Sequence, residues 1–84
     1  IMIDGNKIRD LLEKGIVLIS FISLRSGETK TREYTLHKSI LPTSIKQDMD
    51  NSDKLICYDV EFGKWEDIQV DTIESIKLIE GLMD

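Results

Sequence analysis

The stretch spanning residues 55–79, LICYDVEFGKWEDIQVDTIESIKLI, constrains the fold more than any other part of the chain. Its apolar residues recur at a period of two, the pattern of a strand with one buried face. Phe62-Gly63-Lys64 sits between two such runs, with glycine available where a tight turn needs φ > 0. Asp71-Thr72-Ile73 then breaks the alternation for one 3₁₀-like turn before Ile76 and Leu78 resume it. Three short strands are therefore expected over 55–61, 65–70 and the segment carrying Ile76 and Leu78.

Upstream, residues 16–24 are rich in β-branched and aromatic side chains on both faces, as a long strand must be if it bends to serve two halves of a small barrel. Arg25-Ser26-Gly27-Glu28 supplies the turn. The return strand over 29–36 alternates Arg32, Tyr34 and Leu36 against Thr31, Glu33 and Thr35, with its far end the better buried. Pro42 keeps Leu41 out of helical conformation. The polar, acidic run over 43–54 has no periodicity and reads as a loop. At the start, Asp4-Gly5-Asn6 offers N-cap chemistry, Ile8, Leu11 and Leu12 follow at helical spacing, and Gly15 is placed to stop the helix. The apolar stripe is narrow, so a helix over 6–14 should lie as a lid on one end of something else.

The expected fold is mainly β: a five-stranded antiparallel SH3/Sm-like barrel over about 16–79 with a short N-terminal α-helix, one domain over 1–84. Its core is expected to hold Ile19, Phe21, Leu36, Val60, Ile68 and Ile76. The longest uncharged apolar run, 16–24, is far short of the roughly 20 residues needed to cross a bilayer. No basic segment precedes an apolar one at the start, so no signal peptide is expected and no membrane association. The single cysteine, Cys57, excludes an internal disulfide and fits a reducing cytoplasm.

The net charge of −5 is unevenly spread. Residues 1–42 carry seven Lys and Arg against five Asp and Glu, net +2, whereas residues 43–84 carry four against eleven, net −7. The second half should repel a phosphate backbone, while a basic patch confined to the first half could still hold an anion.

The order of helix, KGIVLISF strand, SGETKTREYTL hairpin, ILP corner, variable loop, LICYDVEFGKW and VDTIESIKLI resembles a small phage-encoded Sm-like, SH3-type barrel family, WYL-like by name. The resemblance covers about residues 11–79 and is carried by Thr35-Leu36 before Ile40-Leu41-Pro42, by Asp59, by Trp65, and by Val70-Asp71-Thr72-Ile73. It implies a fold and a phage origin, and no catalytic signature. It also implies basic residues after the tryptophan, where this chain reads Glu66-Asp67-Ile68-Gln69. Any nucleic-acid contact those residues make in relatives is missing here.

Individual residues admit a functional reading beside a plain one. Trp65 could stack on a base, or cover a barrel end with its indole N–H hydrogen-bonded. Period-two packing already accounts for Tyr34 and Tyr58. Cys57, between Ile56 and Tyr58 in a strand, reads as a buried inert thiol before it reads as a nucleophile partnered by His37. Asp48, Asp50, Ser52 and Asp53 echo a calcium loop, with Asp59 twelfth, yet its sixth position is Asp53 rather than glycine, and a solvated loop is the better account. Arg25, Lys30 and Arg32 cross the first hairpin, where they could grip an anion or guard an exposed edge.

Two classes of function stay open. The first is a non-catalytic module that engages a host or defence protein during infection through an acidic face of Glu66, Asp67, Asp71 and Glu74. The alternative is a nucleotide or RNA binder, an oligomer of barrels joined through open edges, using Trp65, Tyr58, Arg25, Lys30 and Arg32. Neither implies a cofactor or a metal.

Overall fold

Residues 4–43 and 54–83 are described by the computed structural model of the chain. Helix α1 (Gly5–Lys14) is capped by Asp4, whose side chain accepts the Asn6 N–H at 2.9 Å. Strands β1 (Gly15–Ile22), β2 (Thr29–Thr35), β3 (Lys54–Asp59), β4 (Lys64–Gln69) and β5 (Ile73–Gly81) form one antiparallel sheet in the order β4-β3-β2-β1-β5. β4 and β5 thus occupy opposite edges of the sheet, yet only the 3₁₀ turn Val70–Thr72 joins them. Three residues reach only about 10 Å, so the sheet must curl enough to bring the end of β4 near the start of β5, although the two edges do not pair among the described residues. The result is a small barrel.

β1 makes the curl possible. It pairs with β2 on one side and β5 on the other, and its register against β5 shifts at Ile16/Val17 and again at Ser20/Phe21. Such irregularities bend a strand and increase its twist. The inward residues Val17, Ile19, Tyr34, Leu55, Cys57, Ile68 and Ile73 make the core, closed over by Ile8 and Leu12 of the helix. The last carbonyls of the helix end in the sheet rather than in solvent. Leu12 O accepts the Leu36 N–H at 2.9 Å, Lys14 O accepts the Leu82 N–H at 2.8 Å, and Gly15 O accepts the Thr35 hydroxyl at 2.7 Å. No helix of the described residues is long and apolar enough to cross a membrane.

Several expectations need correction. The first strand ends at Ile22, and Ser23 and Leu24 already belong to the turn, where Ser23 N–H bonds to Glu28 O at 2.8 Å. The 3₁₀ turn begins at Val70, one residue before the expected kink. The far end of β2 is the buried one, as expected, and there Thr35 is fully buried with its hydroxyl bonded to the helix carbonyl Leu12 O at 3.3 Å. Val60 is not core: it is half-buried in the turn after β3, and Leu55, Cys57 and Asp59 are the residues that point inward, each fully buried. Apolarity alone favours the other parity, since Ile56, Tyr58 and Val60 are the greasier set. Asp59 reverses it by turning inward to accept the Phe62 N–H at 2.9 Å and fix the β3–β4 turn. Phe21, Leu36 and Ile76 pack against the core while only partly buried.

Candidate functional site

β2 pairs with β3 only at Tyr34–Asp59 and Thr35–Tyr58, with one further bond from Val60 N–H to Glu33 O at 3.0 Å. Beyond that point the β1–β2 hairpin remains paired with itself and departs from the β3–β4 hairpin. The two hairpins enclose a cleft of about 490 Å³ at the end of the barrel away from the helix. One wall carries Arg25, Lys30 and Arg32, the other Phe62, Lys64, Trp65 and Glu66, and Phe21 and Tyr34 lie between them.

Four cations converge on this space. Arg25 and Lys30 have no ion pair among the described residues. Arg32 stands 5.2 Å above the Phe62 ring, and the Lys64 ammonium lies 5.9 Å from the same ring. Phe62 is 57% exposed, and it is held at the mouth by these two cations and by the Asp59 turn. Trp65 lines the wall and packs edge-on against Tyr58, with ring centroids 5.3 Å apart. Tyr58 is its support and not part of the lining.

Glu66 is where the acidic-face expectation and the structure part. It lies opposite Cys57 in the β3–β4 register, so its side chain takes the inward parity and is only 28% exposed. There it accepts the Tyr34 phenol and lies 3.4 Å from the Lys64 ammonium. Asp67 takes the opposite parity, is exposed, and sits 3.8 Å from the Lys54 ammonium. Asp71 is on the exposed 3₁₀ turn, and Glu74 on β5 accepts the Thr29 hydroxyl at 3.2 Å. The four acids do not share one face. The alternative set fares differently, for Arg25, Lys30, Arg32 and Trp65 line one cleft.

Burial pushes the Tyr34 phenol well above the usual tyrosine range, reinforced by its bond to Glu66 and by that carboxylate's charge. Burial likewise pushes the Cys57 thiol up, with the charges of Glu66, Asp59 and Asp67 acting in the same direction. Such a thiol holds its proton, the opposite of what a nucleophile needs. His37 is buried at the end of β2, where its Nδ1 accepts the Ser39 N–H at 3.2 Å and pairs with Ser39 Oγ at 2.7 Å. Asp48, Asp50, Ser52 and Asp53, the echo of a calcium loop, lie outside the described residues, while Asp59 is spent on its turn.

Phe62, Lys64 and Tyr34 were not legible as site residues. Phe62 reads as part of a turn and Tyr34 as packing, and only the divergence of two hairpins brings them beside Arg32. No protein-family model, curated protein or solved structure matches the chain.

Proposed function

We propose that this protein is a non-catalytic binding module whose open-end cleft takes a nucleotide. The observation that carries this reading is the convergence of Arg25, Lys30, Arg32 and Lys64 with the exposed Phe62 ring around one cleft. Guanidinium and ammonium groups suit phosphate oxygens, and an aromatic ring flanked by cations suits the face of a base. At about 490 Å³ the cleft falls in the range that encloses one small ligand, about 300–1,000 Å³. A long polyanion is disfavoured, because the second half of the chain carries a net −7 and would repel strand leaving the cleft.

Trp65 is the only tryptophan and lines the cleft, so its fluorescence reports occupancy directly. Titration with nucleoside monophosphates and triphosphates should give a saturable change that weakens with salt. Absence of any response would overturn the reading. An equal response to inorganic phosphate would reduce the site to an anion hole, and a much stronger response to single-stranded oligonucleotides would reassign it to nucleic acid.

A further inference from the structure

The cleft contains one feature that phosphate binding does not need and even opposes: a carboxylate on the wall facing the cations. Glu66 is not a stray surface acid. Its strand parity turns it inward, the fully buried Tyr34 holds one carboxylate oxygen by a hydrogen bond, and Lys64 flanks the other at 3.4 Å. Asp67 also lines the cleft, but it takes the opposite parity to Glu66 and lies 3.8 Å from the Lys54 ammonium. Glu66 is therefore an acceptor of fixed orientation, set among the cations Arg25, Lys30, Arg32 and Lys64, while the other lining acid, Asp67, is engaged by Lys54.

A carboxylate offers about four lone-pair directions on two oxygens. Tyr34 occupies one and Lys64 lies near another, which leaves acceptor capacity on the cleft side. A ligand that spans the cleft must satisfy both walls, with anionic oxygens toward Arg25 and Lys30 and hydrogen-bond donors toward Glu66. Among nucleobases, guanine presents two adjacent donors, N1–H and the N2 amine, on one edge. Adenine and cytosine present only an exocyclic amine beside an acceptor nitrogen, and that nitrogen is repelled by a carboxylate. Uracil flanks its one donor with two carbonyls.

Resting on the nucleotide reading above, we infer that the cleft selects guanine nucleotides, with Glu66 reading the N1–H/N2 edge, Phe62 stacking on the base and Arg25 and Lys30 holding phosphate. Tyr34 is a positioning residue that orients Glu66 from behind.

The experiment is a Trp65 fluorescence titration of the wild-type chain with GMP, IMP, AMP, CMP and UMP at fixed low salt. GMP should bind roughly tenfold or more tightly than AMP, CMP or UMP, and IMP, which keeps N1–H but lacks the amine, should fall between. Glu66→Gln keeps the size of the side chain and replaces one acceptor with a donor. It should erase the GMP preference by lowering GMP affinity while AMP affinity holds or rises, because the carboxylate that repels adenine's acceptor nitrogen is gone. Equal affinity for all five monophosphates would overturn guanine selection and leave nucleotide binding standing. No response to any of them would overturn both. A GMP preference that survives Glu66→Gln would show that another group reads the base.

Discussion

Tyr34 donates its phenol to the carboxylate of Glu66, tying β2 to the edge strand β4 across β3 at the floor of the open cleft. The bond does two things. It satisfies a hydroxyl in the barrel core, and it fixes the acid that strand parity turns inward at the cleft. Tyr34→Phe removes the donor and leaves Glu66 facing water and Lys64. Because the acceptor is charged and partly buried, the loss should cost about 1–3 kcal/mol, read as a lower urea midpoint at unchanged m-value. A midpoint within error of wild type would mean that the bond contributes nothing to the fold.

Stability should also fall at alkaline pH, with a sign fixed by the same burial. The pKa values of Tyr34 and Cys57 are both raised in the folded state. The unfolded chain therefore loses these protons first, at about pH 8.5 for the thiol and about pH 10 for the phenol. Their contribution is complete below those values and declines as pH rises through and beyond them. Urea midpoints followed from pH 7 to pH 11 should decline, starting near pH 8.5, and Cys57→Val should remove the earlier part of the decline. A flat profile in the wild type would contradict the assignment of both groups to the core.

Gly15 joins the helix to β1, and its backbone is extended, so any residue could adopt the conformation. Space is what demands glycine. An added Cβ would lie 1.9 Å from the Glu80 carbonyl oxygen and 3.0 Å from Gly81 Cα. Both are backbone atoms that cannot swing aside, so Gly15→Ala must push β5 away from β1, loosening the Leu82–Lys14 bond beside it. We expect a loss of about 1–3 kcal/mol in a thermal melt. Gly27→Ala is the contrast, with open space around it and φ of +75°, so it should cost only about 1 kcal/mol of backbone strain.

The barrel was legible because turn residues and strand periods are local signals. The helix stripe of Ile8, Leu11 and Leu12, the glycines at both hairpin turns and the break near Asp71 placed each element within a residue or two. Parity in β3 was not legible, since it is set by a polar residue, Asp59, whose reason for burial is a turn formed three residues later. Glu66 was misplaced for a related cause: its inward direction is fixed by the β3–β4 register and by Tyr34, a partner far away in sequence. The parity of β3 predicts its own mutants. Leu55→Ala should cost about 2–5 kcal/mol, and Val60→Ala much less, because only Leu55 is enclosed. Equal costs would contradict the register.

Charge decides between a cleft that binds an anion and an acidic surface that binds a basic protein, because the two use different residues. Arg25 and Lys30 are solvent-accessible at the hairpin tip and make no ion pair among the described residues, so Arg25→Ala with Lys30→Ala should leave stability within about 0.5 kcal/mol. The same pair should weaken nucleotide binding roughly tenfold or more and flatten its salt dependence, since charge-assisted bonds to phosphate are the groups removed. Asp71→Lys with Glu74→Lys reverses two exposed acids that do not line the cleft. Nucleotide affinity should be unchanged or slightly raised by the added positive charge, whereas association with a basic partner would slow markedly. Fluorescence titration of the two double variants against GMP reads the result directly. Loss of affinity in the Asp71/Glu74 variant, with affinity retained in the Arg25/Lys30 variant, would move the binding site out of the cleft.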